Sequence, residues 1–163
     1  MTDYDRRLQV LEDRLAIIEL EGAYARSFDD HDGDTWSSLF TPDGVYQSRV
    51  VGGNRAKGSH VSGTEELRRF CIDAPFTGIH FLHLPQITLH GDTATSRVHL
   101  EFYGSFDDEG ASFSKTIGYY DVAYRRSGDR WLIVRRVTTT FASESRATFG
   151  YLPGSGLDMN PPV

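Results

Sequence analysis

Four long runs rich in β-branched and aromatic residues occupy the second half of the sequence. They cover residues 79–89, 93–106, 113–125 and 130–141, and short segments containing Gly, Asp or Ser separate them. Runs of this composition joined by short turn sequences are typical of strands in antiparallel hairpins. The residues before them carry helical patterns. Helices followed by consecutive strands predict an α+β fold, in which a curved, mainly antiparallel sheet packs against the helices.

Three helices are predicted before the strands. The first covers residues 4–28, with Asp3 as its N-cap and a buried stripe that consists of Leu11, Leu15, Ile18, Gly22, Ala25 and Phe28. The second covers residues 34–40. The third covers residues 63–73, begins at a capping box formed by Ser62 and Glu65, and ends before Pro75. A first strand is expected from Val45 to Val51, after the turn sequence Pro42-Asp43-Gly44.

The size of the chain predicts one domain. With 163 residues and 39% hydrophobic residues, the chain can bury a single core. We expect residues 1–142 to form this domain as a cone-shaped α+β barrel, with residues 143–163 as an irregular tail of the same domain because this segment is rich in Gly and Pro. Phe149, Tyr151 and Leu152 of the tail are expected either to close the cone or to contact another subunit.

Composition and motifs exclude several functional classes. The net charge of −6 and the scattered basic residues argue against a nucleic-acid footprint. No run approaches membrane-spanning length and no signal peptide is evident, which predicts a cytoplasmic protein that does not bind membranes. Cys71 is the only cysteine and is expected in the core rather than as a nucleophile. No metal-ligand spacing, dinucleotide fingerprint or phosphate loop is present, so no metal and no cofactor are predicted.

Asp29 stands where the first helical pattern ends. Its position continues the predicted buried face of that helix, so the carboxylate is expected to point inward and to need a partner. The alternative is a carboxylate that only caps the second helix, a role that fits Asp30, Asp32 and Asp34 better.

His80 is the predicted partner of Asp29. Strand alternation places His80 on the same face as Leu82 and Leu84, with His83 on the other face. A histidine among aliphatic residues is either a hydrogen-bonded core residue or a base in a pocket, and a carboxylate beside it would favour the second role. His31, His60 and His90 lie in turns and are interpreted as solvated. Alternation does not decide whether the strand face that carries His99 lines a pocket.

Two stretches carry a family resemblance. Residues 24–29 (Tyr-Ala-Arg-Ser-Phe-Asp) with residues 36–46 resemble the opening of SnoaL-like proteins of the nuclear transport factor 2-like superfamily. The segments Gly78-Ile79-His80-Phe81, Gly91-Asp92-Thr93-Ala94 and Gly128 to Ile133 resemble later strands of the same family, so the resemblance covers roughly residues 8–142. This fold hosts enzymes of several kinds as well as plain binding proteins.

The resemblance implies a reaction. Scytalone dehydratase, bile acid 7-alpha dehydratase and hexachlorocyclohexane dehydrochlorinase are similar and use an Asp-His dyad, to which Asp29 and His80 correspond by position. The implied activity is that of a cofactor-independent lyase or isomerase, in which His80 is the general base and Asp29 supports it, acting on a hydrophobic cyclic molecule. The alternatives are a non-catalytic binding or interaction module and the small subunit of a ring-hydroxylating dioxygenase.

The resemblance also implies pocket residues and a partner. Tyr24 is similar in position to a pocket tyrosine of the bile acid enzyme, and Arg136 to a pocket arginine of the dehydrochlorinase, although Arg135 is an equally close match in register. The residues expected to contact substrate are Tyr24, Trp36, Tyr46, His99 and Arg136. A homodimer or a higher homo-oligomer is expected, with the aromatic residues Tyr119, Tyr120 and Tyr124 available for an interface.

Overall fold

The computed structural model describes residues 2–50, 58–106 and 113–146. Its helices are α1 (Asp3–Asp29), α2 (Gly33–Ser38) and α3 (Thr64–Ile72). Thr2, rather than the predicted Asp3, caps α1, because Thr2 and Asp5 form a reciprocal capping box. The predicted capping box of α3 is not formed. Gly63 is its N-cap, and Glu66 instead of Glu65 accepts a hydrogen bond from the Ser62 N–H (3.2 Å).

The buried face of α1 differs from the predicted one. Leu11, Leu15 and Ile18 are exposed, with 64%, 56% and 37% of their surface accessible. The residues of α1 that face the core are Asp13, Ile17, Leu20, Glu21, Tyr24, Ser27 and Phe28. Two carboxylates, Asp13 and Glu21, lie within this buried set, so the face of α1 that packs is not the purely apolar stripe. The prediction of a buried Leu11-Leu15-Ile18 stripe was therefore wrong.

Seven strands follow or separate the helices. They are β1 (Phe40–Val50), β2 (His60–Ser62), β3 (Thr77–Leu82), β4 (Gln86–His90), β5 (Thr93–Ser105), β6 (Phe113–Ser127) and β7 (Arg130–Arg146). The predicted strand 79–89 is split in two, because Pro85 lacks the N–H that a continuous strand needs. β1 begins at Phe40 and is irregular between Phe40 and Val45. β7 extends to Arg146, so residues 143–146 are strand rather than tail. Residues 147–163 lie outside the described part.

One curved sheet contains all seven strands. The order is β2-β1-β7-β6-β5-β3, and β4 also pairs with β5. Every pairing is antiparallel except that of β1 with β7, which is parallel, so the sheet is mixed and not closed into a barrel. The three helices cover one face of the sheet, and the core between the layers is centred on Ile17, Trp36, Leu67, Val98 and Ile133, all with no accessible surface. Within the described residues, no helix is long and apolar enough to cross a membrane.

Tight packing at Gly33 joins α2 to α3. A Cβ atom at this position would lie 2.6 Å from the Arg68 carbonyl oxygen and 2.7 Å from Ile72 Cγ1. Only a residue without a side chain therefore allows the two helices to approach this closely. This contact holds the turn after α1 against the segment that leads from α3 into β3.

Candidate active site

Asp29 and His80 form a bidentate contact at the end of α1. His80 Nδ1 lies 2.5 Å from Asp29 Oδ1, and the backbone N–H of His80 donates to Asp29 Oδ2 at 2.9 Å. Both side chains are largely buried, with 13% of Asp29 and 12% of His80 accessible. The carboxylate therefore fixes the strand and the imidazole ring together, and it favours the tautomer in which Nδ1 carries the proton.

Chain geometry explains why these residues meet. Asp29 is the last residue of α1, and the helix ends there because the following residues form a turn in which His31 has a positive φ of 55°. β3 lies along the end of α1, and alternation along β3 turns Gly78, His80 and Leu82 inward. Ile79 and Phe81 point outward and are about half exposed.

Aromatic rings surround the imidazole of His80. The ring centroids of Phe28, Phe76 and Phe102 lie 5.7, 5.6 and 4.7 Å from that of His80. The Phe102 ring also covers Gly78 and Gly104, where an added Cβ would approach it to 2.7 and 2.6 Å. These two glycines thus make room for the ring that supports the histidine. Within the described part of the chain, Nε2 of His80 has no hydrogen-bond partner.

A cavity of about 930 Å³ opens beside His80. Its apolar lining is mostly aromatic and consists of Phe28, Tyr46, Phe70, Phe76, Leu100, Phe102, Phe106 and Tyr120, among others. Charged or titratable side chains also line it, namely His60, Glu66, Arg69, Asp73 and His80. Such a site can hold a hydrophobic ring system and present one basic nitrogen to it.

Tyr46 and Tyr120 bring phenol groups to this cavity. Tyr46 Oη accepts a hydrogen bond from Thr138 Oγ1 at 3.1 Å. Burial raises the pKa of both phenols above their ordinary value, so each is protonated at neutral pH. Of the two, only Tyr46 was predicted as a pocket residue. Tyr120 was predicted to be available for an interface, but Tyr120 and Tyr124 are buried within the chain (3% and 1% exposed), which corrects that expectation.

Tyr24 and Trp36 are core residues in this structure. They are 2% and 0% exposed, their ring centroids are 5.4 Å apart, and neither lines the cavity. Both had been expected to contact substrate. They instead support the cavity from behind, because Trp36 packs against Phe28 (5.0 Å) and Tyr46 (6.0 Å), which do line it.

Arg136, and not Arg135, points into the protein. Its guanidinium makes two 2.8 Å hydrogen bonds to the Glu21 carboxylate, and its central carbon lies 3.6 Å from the ring centroid of Tyr24 and 3.8 Å from that of Tyr120. Burial alone would lower the pKa of Arg136, but Glu21 keeps it above its ordinary value. The guanidinium is fully buried, is paired with Glu21 and lies outside the cavity lining, so the expected direct contact between Arg136 and substrate does not fit this geometry.

His99 lies on the opposite face of the sheet. Val98, Leu100 and Phe102 of β5 point inward, so His99 points outward and is exposed, near Tyr119. The strand face that carries His99 therefore does not line the cavity. This corrects the expectation that His99 contacts substrate.

Two histidines interpreted as solvated have different surroundings. Both ring nitrogens of His31 lie within hydrogen-bond distance of backbone carbonyls, those of Cys71 (3.1 Å) and Phe76 (2.9 Å). His31 therefore ties the turn after α1 to the segment between α3 and β3. His60 is exposed but lies at the cavity lining. No sequence signal marked His31, whereas alternation along β5 and β6 could have identified Phe102 and Tyr120 as inward-facing.

No metal site accompanies the dyad. Across residues 2–50, 58–106 and 113–146, no group of three His, Cys, Asp or Glu side chains is arranged to hold a metal ion. Cys71 is buried, which raises the pKa of its thiol to about 12. Its sulfur lies 3.7 Å from the Ser27 carbonyl oxygen, which fits the predicted core position.

Comparisons with known proteins agree with this architecture. Residues 9–137 match the family model described as a SnoaL-like domain. An uncharacterised protein of Mycobacterium tuberculosis (strain ATCC 25618 / H37Rv) is 30% identical over 135 residues, which cover 79% of this chain and 86% of that protein. A crystal structure of an NTF2-like protein with a cystatin-like fold from Novosphingobium aromaticivorans is 28% identical, with a TM-score of 0.70 and coverage of 86% and 89%.

A third similarity concerns the fold alone. The crystal structure of a type 2 hexachlorocyclohexane dehydrochlorinase covers 99% of this chain and is itself covered to 99%, with a TM-score of 0.72 at 16% identity. The family model matches most of the sequence. The mixed curved sheet with its N-terminal helices agrees with the fold of the similar NTF2-like structure. The protein is a member of the SnoaL-like domain family and has the nuclear transport factor 2-like fold.

Proposed function

We propose that this protein is a cofactor-independent lyase or isomerase that acts on a hydrophobic cyclic molecule, with His80 as general base. The observation that carries the proposal is the state of the His80 ring. Its Nδ1 is held by Asp29 at 2.5 Å, and its Nε2 has no protein partner among the described residues, in a side chain that lines the cavity. A ring held in this way can accept a proton at Nε2 while the carboxylate stabilises the imidazolium that forms.

The proposed step is a β-elimination or a shift of a double bond. Nε2 of His80 removes a proton from an acidified carbon, and the electron pair of that C–H bond becomes a C=C double bond. In an elimination, a hydroxyl or halide leaves from the adjacent carbon with the electrons of its own bond. In an isomerisation, the imidazolium returns the proton at another carbon. Protons and electrons are conserved in both reactions, so neither reaction requires a cofactor.

The departing group needs a proton or a hydrogen bond. Tyr46 and Tyr120 line the cavity and are protonated at neutral pH, so either phenol can donate to a leaving oxygen or to an enolate. Tyr24 and Arg136, which were expected to contact substrate, cannot take this role, because neither side chain lines the cavity.

The cavity indicates the class of substrate. Its volume of about 930 Å³ and its aromatic lining suit a molecule of two or more fused rings. The name of the similar dehydrochlorinase describes an elimination from a halogenated ring, which supports the same reaction class. The alternative of a non-catalytic binding module predicts binding of such molecules without turnover. The alternative of a dioxygenase small subunit stays a prediction.

The tautomer of His80 tests the proposal without a known substrate. We expect ¹⁵N NMR of the imidazole to show a protonated Nδ1 and a bare Nε2 for the neutral ring, and we expect Asp29→Asn to mix the two tautomers. A neutral His80 protonated at Nε2 would contradict the proposal, because that nitrogen could not then accept a proton. His80→Gln assigns the signal.

Turnover is tested with fused-ring ketones. The panel carries a hydroxyl or halide β to the carbonyl, or a β,γ double bond, and the conjugated product is detected by its ultraviolet absorbance. For a compound that is turned over, we expect His80→Gln to lower kcat by about a hundred- to ten-thousand-fold. His99→Gln is the matched control, because it removes a histidine from the opposite sheet face and should leave kcat unchanged. An undiminished rate in His80→Gln would exclude His80 as the base.

A further inference from the structure

An exposed apolar stripe runs along the outer side of α1. It consists of Tyr4, Leu8, Leu11, Leu15 and Ile18 and is called the α1 seam here. All five side chains are exposed, from 37% for Ile18 to 72% for Tyr4. Large apolar side chains that form a continuous exposed stripe mark an interaction surface more often than single exposed residues do.

The seam repeats with the spacing of a coiled coil. Its members alternate in steps of four and three residues, which is the pattern of the a and d positions of a heptad. At 100° per residue, the centre of the seam lies roughly 160° around the helix from the centre of the buried residues. Along residues 4–18, the rest of the described protein is therefore on the far side of α1, and a second helix can approach the seam without meeting those residues.

The N-terminal part of α1 has little support from the described residues of its own chain. Residues 2–12 are exposed all round, and the first buried residue of the helix is Asp13. A helical segment of this length is marginal in water without a packing partner. A partner along the seam would supply the missing contacts.

Charges beside the seam fit a second copy of this chain. Arg7 and Arg14 follow one edge, at the g positions of the heptad, while Glu12 and Glu19 follow the other edge, at the e positions. All four side chains are exposed, and within the described part of the chain none of them has an ion-pair partner.

The orientation of the partner follows from these charges. When two identical helices pair in parallel, each g residue faces the e residue five positions later on the partner, so Arg7 faces Glu12 and Arg14 faces Glu19. When they pair in antiparallel fashion, g residues face g residues, and arginines face arginines while glutamates face glutamates. Only the parallel arrangement brings opposite charges together.

We propose that two copies of this protein pair through a parallel contact of their α1 seams. The contact is symmetric, because each copy presents the same residues to the other. It is independent of the proposed function, since none of the seam residues lines the cavity.

The particle mass measured by multi-angle light scattering across a dilution series tests the contact. We expect Leu11→Glu to raise the dissociation constant on the order of a hundredfold and to halve the particle mass. The seam leucine is already exposed, so this variant should fold. Leu84→Glu is the matched control, because Leu84 is 80% exposed in the loop between β3 and β4, and it should keep the wild-type mass.

Two results of this experiment would overturn the proposal. One is a monomeric wild-type chain throughout the dilution series. The other is an oligomer whose mass does not change in Leu11→Glu, because its interface would then lie elsewhere.

Orientation is tested by cross-linking and by charge reversal. In the parallel contact, Tyr4→Cys forms a disulfide with Tyr4→Cys of the second copy, whereas an antiparallel contact over the whole seam places position 4 nearest to position 18 and far from the second position 4. The double variant Glu12→Arg/Glu19→Arg should dissociate, and adding Arg7→Glu/Arg14→Glu should restore the wild-type mass. A cross-link that forms only between Tyr4→Cys of one copy and Ile18→Cys of the other, or a double variant that associates as the wild type does, would contradict the parallel pairing.

Discussion

Asp29 acts on two groups of His80 at once. One carboxylate oxygen receives the backbone N–H and the other receives the ring, so the strand cannot shift without moving the imidazole. The ring is further confined by Phe76 and Phe102, and its remaining freedom is small. A base held in this way loses little entropy when it meets a substrate, which is a general requirement of efficient proton transfer.

The phenols of Tyr46 and Tyr120 are the candidate hydrogen-bond donors to the leaving group. If one of them donates to the leaving group, its replacement by phenylalanine should lower kcat by about ten- to a thousandfold with little change in stability, because the ring remains. The kcat values of Tyr46→Phe and Tyr120→Phe are measured with the compound that the wild-type protein turns over. Equal kcat in both variants and in the wild type would show that no phenol assists the reaction.

The first helix is fastened to the sheet by Asp13. Oδ1 of Asp13 accepts hydrogen bonds from Arg126 Nη2 (2.5 Å), Trp131 Nε1 (3.2 Å) and Gln9 Nε2 (3.1 Å). Burial alone would raise the pKa of Asp13, but these donors, with Arg126 first among them, lower it below its ordinary value. A single carboxylate therefore connects α1 to β6 and β7.

This anchor predicts an acid dependence of stability. A carboxyl group whose pKa is lower in the folded state contributes stability above its unfolded pKa of about 3.9, and this contribution is lost as the pH falls through the folded value. Asp13→Asn should lower the free energy of unfolding at neutral pH by about 1–3 kcal/mol and should weaken its pH dependence below pH ~4. Urea unfolding over a pH series measures both effects.

Asp129→Asn is the control for the Asp13 prediction. Asp129 is exposed in the turn between β6 and β7 and makes no hydrogen bond with its side chain within the described residues. Its replacement should leave the acid dependence as in the wild type. An Asp13→Asn variant with the same acid dependence as the wild type would contradict the assigned role.

A buried charge network joins the layers of the whole molecule. Glu21 of α1 receives hydrogen bonds from Arg136 of β7 and from Tyr124 of β6 (2.7 Å), and Tyr124 Oη lies 2.6 Å from Ser96 Oγ of β5. The network therefore crosses from the helix layer through three adjacent strands. Because these groups are removed from water, each depends on the others for its hydrogen bonds.

Removing one charge of this network should destabilise the entire fold. Glu21→Gln leaves the Arg136 guanidinium uncompensated, and we expect it to lower the free energy of unfolding by about 3–5 kcal/mol. The double variant Glu21→Gln/Arg136→Met should recover much of this loss. Urea unfolding measures the stability of both variants. The control is Glu65→Gln, which removes an exposed ion-pair partner of Arg69 and should lower the free energy of unfolding by only about 0–1 kcal/mol. A small effect of Glu21→Gln would contradict the network's importance.

The sequence contains enough to predict the fold class and the approach of Asp29 to His80. Local patterns mark a helix end at Asp29 and the inward side of β3 at His80, but the face of α1 used to orient Asp29 is exposed, and the pairing of the two residues as a dyad was implied by the family resemblance. Which face of α1 is buried could not be predicted, because Asp13 and Glu21 lie on that face. Their hydrogen-bond partners come from strands more than a hundred residues later. Periodicity detects the α1 seam but does not say which side of a helix meets the core.

Two other differences between the predicted and the observed structure have specific causes. Pro85 divides the predicted strand 79–89, and its backbone chemistry could have been weighed from the sequence. The choice between Arg135 and Arg136 needed the register of β7 against β6, where Arg136 pairs with Val122 and Arg135 with Ala123. No local pattern fixes such a register.

The position of Tyr120 has a consequence for how this cavity could change. The residue lines the cavity, and its ring centroid lies 3.8 Å from the guanidinium of Arg136, so one aromatic ring separates the cavity from the buried Glu21–Arg136 ion pair. A smaller residue at position 120 would remove that partition. One substitution would then extend the cavity to both members of this ion pair, and a bound molecule could make polar contacts with groups that are now sealed off from it.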